Sequence, residues 1–382
     1  MDDHLPEDIQ MLVASVREYV ESRLEPLWQQ VEREDAIPPS VLREMGDLGL
    51  FGLSIPEAYG GLGLSYQGYV AVMEELGRTS SAYTNVIGAS TGLFGMTVLH
   101  AGTEEQKRQV LPRIASAQAI GCFGLTEPGA GSDAAALQMT AVAHDSGYVL
   151  NGTKQYVTNA PIADYFVVFA KTDPTAGARG ISAFLLERGT PGLLTSPPDE
   201  KMGLRGSSTG QVILQDCCVP RAALLGGQEG TGWRAALSTL DSGRVSLAAG
   251  AVGLAQKALE LSLSYARQRT QFGQPIASFQ AIQWMLADTA TEIHAARLMV
   301  RAAARGLDAG RRISREAAMA KLFASEMAGR AVDRAVQIHG GLGYMKASPV
   351  ERLYRDARIL RIYEGTSEIQ RLVIAEDLVK NG

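Results

Sequence analysis

The period of the apolar residues changes twice along this chain, and that double change restricts the folds open to it. Residues 7 to 120 read as helical: Ile9, Leu12, Val16, Tyr19, Val20 and Leu24 share one face, behind a first turn carrying Pro6, Glu7 and Asp8. TEEQKRQVLPRIA opens with a capping-box pattern, Thr103 with Gln106, and the turn-rich AYGGLGLS around residues 58 to 65 separates earlier elements. From about residue 121 to 225 the runs TAVAHD, GYVLNGTKQYVTN, DYFVVFAKT, ISAFLLER and GQVILQD are short, β-rich and punctuated by turn residues. After GQEGTGW the helical period returns in VSLAAGAVGLAQKALELSLSYARQR and SFQAIQWMLADTATEIHAARLMVRAAARG.

The expected fold class is therefore α+β and mostly α. It has an N-terminal all-α domain at 1–120, a middle antiparallel β-barrel or sandwich at 121–225 and a C-terminal α-helical domain at 226–382. A length of 382 residues suits two or three domains of about 150 residues, and 46% hydrophobic residues are enough to give each a core. Elements grouped in blocks argue against a Rossmann domain, which needs strands and helices in alternation. TEPGAGSD, residues 126 to 133, has Gly129 and Gly131 but no third glycine at Rossmann spacing, and on its own reads as a tight loop.

Charge narrows the partners. The net charge is −5 and the basic residues are dispersed, so no field recruits nucleic acid. Cys122, Cys217 and Cys218 have neither metal-ligand nor disulfide-framework spacing, so no structural metal is expected. MDDHLPEDIQ lacks the basic start and apolar core of a signal peptide, and no apolar run reaches about 18 residues, so no membrane association and a cytoplasmic location are expected.

The histidines His4, His100, His144, His294 and His339 form no His-x-x-x-His pair or visible Ser/His/Asp arrangement, and individually read as structural or surface residues. His339 lies in QIHGGLG, which is a helix stop or a place where backbone comes close to a partner. Arg267 and Arg269 end a helix, where a cation suits the macrodipole or a phosphate. The apolar stripes Leu254, Leu261 and Tyr265, and Met285 with Leu286, read as core packing. In RIYEGTSEIQ, turn chemistry accounts for Gly365, Thr366 and Ser367 but leaves the lone carboxylate of Glu364 unexplained.

TEPGAGSD, NGTKQYVTNAPIADYF, KMGLRGSSTGQV, RQRTQFGQPIASFQ, QIHGGLGY and RDARILRIYEGTSEIQR together make the chain resemble the acyl-CoA dehydrogenase family of flavoproteins over nearly its full length. The resemblance implies a C-terminal four-helix bundle and bound FAD. By motif matching it implies that Phe123, Leu125, Thr126, Gly131, Ser132, Tyr156, Val157 and Thr158 line the flavin, with Tyr156 standing where many relatives carry Trp. It places Arg269 and Phe272 at the FAD pyrophosphate region, Gln280 on its adenine side, and Thr366, Ser367 and Glu368 as further cofactor contacts. Ser367 with Gln370 also reads as a helix cap. Gln337, Ile338, His339, Gly340 and Gly341 would approach FAD of a neighbouring subunit, implying a homo-oligomer; the family commonly forms tetramers.

In relatives carrying Tyr-Glu-Gly-Thr the glutamate removes the α-proton of an acyl thioester while the β-hydrogen leaves as hydride to flavin N5, and Glu364 matches it. Such a base needs burial to raise it from a reference value of about 4.3. Its backbone N–H and a flavin ribityl hydroxyl would hold the substrate carbonyl, with Gly365 easing the approach. Some members place the base at the position of Gly243, which cannot serve as one; Asp241, Ser242 and Arg244 match the substrate-contacting segment, as does Ser132, the alternative for Arg244 being a surface or interhelical ion pair. Thr84 stands where glutaryl-specific relatives carry an arginine, and Glu364 itself counts against the aspartate-based nitroalkane oxidases. The expected partners are an acyl-CoA thioester and an electron-transfer flavoprotein. Alternatives are an acyl-carrier-protein-linked dehydrogenase, an oxidase passing electrons to oxygen, or a protein of the same fold that binds a macromolecule such as DNA.

Overall fold

The structure, a computed structural model, describes residues 5–381; His4 and the other residues of the first four lie outside it. Seven helices come first: α1 (Glu7–Tyr19), α2 (Trp28–Glu34), α3 (Pro39–Asp47), α4 (Tyr66–Leu76), α5 (Ser81–Ile87), α6 (Met96–Ala101) and α7 (Glu104–Ala115). Wider π-type turns at Val20–Leu24 and Gly88–Gly95 prolong α1 and join α5 to α6. The capping box at α7 is present in both halves, Gln106 N–H donating to Thr103 Oγ1 and Thr103 N–H to Gln106 Oε1. Apolar spacing in α1 buries Ile9 and Val16, and Val20 and Leu24 continue the stripe.

The middle of the chain forms β1 (Gly121–Gly124), β2 (Thr140–His144), β3 (Gly147–Thr158), β4 (Tyr165–Lys171), β5 (Ile181–Glu187), β6 (Leu193–Thr195) and β7 (Thr209–Pro220). They make one seven-stranded sheet in the order β1-β4-β2-β3-β7-β6, with β5 on β4. The sheet is not wholly antiparallel as expected: β1 runs parallel to β4, and Thr140 of β2 bridges Lys171 of β4 in parallel. A parallel pair needs a long crossover, and the chain from 125 to 164 supplies it. Neither β1, half glycine, nor the three-residue β6 carries a readable strand signal.

A two-stranded hairpin, β8 (Thr270–Gln271) and β9 (Gln274–Pro275), divides α8 (Gly232–Gln268) from α9 (Gln280–Asp308); α10 (Ser314–His339), α11 (Pro349–Ile359) and α12 (Ser367–Asn381) follow. Helices α8, α9 and α10 pack on one another, α12 lies along α10, and α4 packs on α8 and α9. The N-terminal and C-terminal helices therefore share one core, running from Leu24, Met45 and Tyr83 through Val252 and Leu254 to Met327 and Leu353. Glycines allow this union. A Cβ on Gly253 would collide with the Glu74 carbonyl, and one on Gly77 with the Gly250 carbonyl, so α4 and α8 meet backbone to backbone.

Candidate active site

The turn between α11 and α12 has an unusual backbone. Glu364 has φ +54° and Gly365 φ +92°, two successive left-handed residues of which only the second is glycine. A non-glycine residue in that region costs on the order of 1–3 kcal/mol and persists where its surroundings hold it. Three buried side chains do so. Arg244 Nε of α8 donates to the Glu364 carbonyl at 3.2 Å, Lys321 Nζ of α10 to the Gly365 carbonyl at 2.7 Å, and Gln370 Nε2 of α12 to both, at 3.1 and 2.9 Å.

The cap at α12 differs from the sequence expectation. Thr366 Oγ1 accepts from Ile369 N–H, whereas the Ser367 hydroxyl turns away and donates to Glu326 at 2.7 Å. Gln370 is drawn back to the two carbonyls and so is unavailable as the cap's partner. Glu368 lies exposed on the first turn of α12.

The Glu364 side chain reaches α8. A Cβ on Gly243 would stand 2.6 Å from Glu364 Oε2 and 3.0 Å from Leu93 Cδ2, so the carboxylate fills the gap the glycine leaves. Oε2 is buried without a hydrogen-bond partner. Burial pushes this carboxyl up to about 7, against the pull of Lys321 and Arg244. An unsatisfied buried carboxylate oxygen is costly in a resting fold.

Arg244 is buried and pairs with Asp241 one turn away on the same helix, at 3.0 Å, so its ion pair is neither superficial nor interhelical. Asp241 also accepts from Ser314 at 2.5 Å, and Ser242 Oγ donates to the Thr239 carbonyl. Farther along α8, Thr84 faces Gly250, its Oγ1 3.6 Å from where a Cβ would be.

The strand residues form a separate rim. Gln155 N–H donates to the Thr126 carbonyl, Lys154 Nζ to the Leu125 carbonyl, and Asn159 Nδ2 to the Gly121 carbonyl, which ties the end of β3 to β1 and its following loop. The β3–β7 register slips between Lys154 and Val157, and within that bulge Tyr156 has φ +56° and is 66% exposed. Val157 faces the strand core, leaving only its backbone for the rim, while Phe123 and Thr158 are half-buried and Gly131 and Ser132 are exposed. A strained bulge that presents an aromatic side chain to the outside suits a flat heterocycle, and Gly131 in the loop after β1 is open, a Cβ there meeting nothing.

Arg269, Phe272 and Gln280 gather at the β8–β9 hairpin, all exposed, with Phe272 at 93%. Ile338 packs with Ala266 and Ile276, and His339 stacks on Tyr265 at 4.4 Å with Nδ1 against the Ala335 carbonyl. Burial lowers the His339 pKa. Gln337, Gly340 and Gly341 beside it are exposed. Residues 337–341 and the hairpin thus form a second patch within one chain.

Sequence reading missed Lys321 and the role of Gln370. Lys321 had a signal, since Ala317, Lys321, Ala324 and Ala328 recur at helical spacing and put a cation on a buried stripe. Among the described residues no group of three or more His, Cys, Asp and Glu could hold a metal, the three cysteines are free, and no helix is long and apolar enough to cross a membrane.

Comparison with known proteins identifies the family. Family profiles match in sequence order: acyl-CoA dehydrogenase N-terminal domain over residues 6–118, middle domain over 122–217 and C-terminal domain over 230–379. The mitochondrial short-chain specific acyl-CoA dehydrogenase of Homo sapiens is 45% identical over 377 residues, 99% of this chain and 91% of the relative. A chain from a structure of the electron transferring flavoprotein of Acidaminococcus fermentans superposes with TM-score 0.97 at 43% identity, covering 100% of both. A glutaryl-CoA dehydrogenase from Mycobacterium smegmatis in complex with FADH2 superposes with TM-score 0.93 at 31% identity, covering 99% of this chain and 96% of the other. With all three domains matched in order, this chain belongs to the acyl-CoA dehydrogenase family.

Proposed function

We propose that this protein is an FAD-dependent acyl-CoA dehydrogenase that desaturates a short-chain acyl thioester between Cα and Cβ, with Glu364 as the base. The observation that carries the proposal is the buried, unpartnered Glu364 Oε2, raised to about 7 and facing the gap at Gly243. A base with that value takes a proton at neutral pH and remains partly ionised beforehand.

The FAD would be held by Phe123, Leu125, Thr126, Gly131, Ser132, Tyr156, Val157 and Thr158 at the strand rim, and by Thr366, Ser367 and Glu368 after the catalytic turn. Bound there, the flavin supplies the acceptor for the hydride that leaves Cβ. Glu364 receives the Cα proton on Oε2 as the C=C bond forms. The Glu364 N–H takes no part in the turn's own hydrogen bonds, and we assign it to the thioester carbonyl. General-base help of roughly 10²- to 10⁴-fold then combines with carbonyl stabilisation of roughly 10²- to 10³-fold per donor.

Asp241, Ser242, Arg244, Ser132 and Gly365 border the substrate. Arg244 acts by holding the Glu364 carbonyl, which fixes where the carboxylate hangs. Thr84, uncharged on α5, suits an acyl chain without a distal carboxylate. Arg269 and Phe272 would meet the FAD pyrophosphate and Gln280 its adenine side, residues 337–341 would approach FAD of a neighbouring subunit in a homo-oligomer, and an electron-transfer flavoprotein is the proposed acceptor.

Anaerobic titration of the FAD-loaded protein with acyl-CoA thioesters of increasing chain length tests this reading. Bleaching of the oxidised flavin by four-carbon substrates is expected. A spectrum unchanged by every thioester offered, CoA-bound or carrier-protein-bound, would overturn it.

A further inference from the structure

Lys321 is a buried cation that no carboxylate satisfies. Its side chain is fully enclosed on the Ala317–Ala328 stripe of α10, and among the described residues no carboxylate lies within 4 Å of Nζ. Its ammonium donates to the Gly365 carbonyl at 2.7 Å, in the same peptide turn that carries Glu364 at φ +54°. Burying an ammonium against a single carbonyl is unfavourable in a simple core. Stability alone would favour an apolar residue at this point of an alanine stripe.

Position resolves the oddity. The ammonium lies at the C-terminal end of two left-handed residues, in the turn whose Glu364 Oε2 is buried without a hydrogen-bond partner. We propose that Lys321 is a positioning residue for the base: it fastens the strained Glu364–Gly365 turn and, by its charge, keeps Glu364 ionisable inside a buried site. The inference rests on the proposed role of Glu364. The other charges facing Lys321 are Arg244 from α8, Glu326 on α10 itself and Glu368 at the start of α12. Arg244 adds a second positive charge near Glu364, while Glu326 is engaged by Ser367 and Arg361 and Glu368 is exposed. Arg244 is paired with Asp241, so Lys321 is the cation near Glu364 without a carboxylate partner of its own.

The same geometry gives Lys321 a proton of its own to lose. Burial lowers it to about 8 while Glu364 pulls the other way. Loss of that proton would remove the counter-charge and weaken the tether together.

The test compares Lys321→Met, Lys321→Gln and Lys321→Arg as FAD-loaded enzymes. Two quantities are read: kcat and KM against pH with a four-carbon acyl-CoA, and the Glu364 carboxyl carbon followed by 13C NMR, assigned by its absence in Glu364→Gln. Removing the opposite charge that holds Glu364 down raises this carboxyl, so the acidic limb of kcat and the 13C midpoint both move to higher pH in the Met and Gln variants. Lys321→Arg keeps the wild-type profile, and Lys321→Gln, which can still donate to the Gly365 carbonyl, retains KM within about threefold while shifting the limb.

A purely structural lysine would lower Tm and leave both midpoints in place, and that result overturns the proposal. If no neutral variant folds, the wild-type titration decides: a second inflection of the Glu364 signal as Lys321 deprotonates supports the coupling, and a single-step curve to pH 10 refutes it. Should no thioester bleach the flavin, the proposed function fails, whereas the 13C titration still reports on Lys321 and Glu364.

Discussion

Gly243 on α8 and Glu364 in the turn after α11 face each other so closely that a Cβ on the glycine would stand 2.6 Å from the carboxylate Oε2. The proposed base and the glycine fit each other, since the helix lacks a side chain where the Glu364 carboxylate lies. Gly243→Ala would push a movable carboxylate rather than fixed backbone, so the fold tolerates it. A displacement near 1 Å at a reacting group costs on the order of 10²-fold. The expected result is kcat lower by roughly 10- to 100-fold, with flavin content and Tm nearly unchanged, measured by steady-state kinetics and thermal unfolding.

Glu364 should also cost stability in a pH-dependent way. In the unfolded chain it ionises near about 4.3, whereas burial keeps it protonated in the folded chain up to about 7. Folding therefore takes up a proton between these values, and the group's penalty grows from about pH 4.3 to 7 and is constant above. Glu364→Gln is expected to be more stable than wild type by about 4 kcal/mol above pH 7 and equal to it below about pH 4. Denaturant unfolding of the apoprotein at several pH values measures the difference.

Tyr156 separates cofactor binding from folding. The ring is 66% exposed and its backbone has φ +56°, so nothing in the apoprotein needs the side chain. Tyr156→Gly relieves the left-handed strain and leaves apo Tm unchanged or higher. Loss of an aromatic face worth about 0.5–1.5 kcal/mol weakens flavin binding by up to roughly tenfold. Fluorescence titration of the apoprotein with FAD gives the comparison.

Phe272 tests the proposed subunit interface. At 93% exposure it contributes little to its own chain beyond an edge contact with Phe279 at 6.1 Å. Phe272→Asp should leave the isolated fold intact, shift the native mass to a smaller assembly and release flavin. An unchanged mass with full flavin content would remove the hairpin from the interface.

What the sequence disclosed and what it hid follow from the range of the interactions involved. The helical and strand blocks were legible because apolar period is local, and the Thr103–Gln106 capping box because it spans one turn. Glu364 stood out because no local rule wants a charge beside Ile362 and Tyr363. The parallel β1–β4 pair was invisible, since β1 is four residues long and its partner lies some forty residues on. The Ser367–Gln370 cap matched a real local pattern that tertiary contacts overrode: Glu326 took the serine hydroxyl and the turn carbonyls took the glutamine. Lys321, Arg244 and Gln370 converge on two carbonyls from three helices, and no spacing along one segment announces that.

The central claim is that Glu364 takes the proton from the substrate's Cα, and proton exchange reads that step directly. FAD-loaded wild-type protein and Glu364→Gln are incubated anaerobically in D2O with a four-carbon acyl-CoA, and deuterium at Cα is followed by mass spectrometry. Wild type is expected to incorporate deuterium and bleach the flavin, while Glu364→Gln keeps its flavin oxidised and exchanges at least about 10²-fold more slowly. Exchange at the wild-type rate in Glu364→Gln would contradict the account.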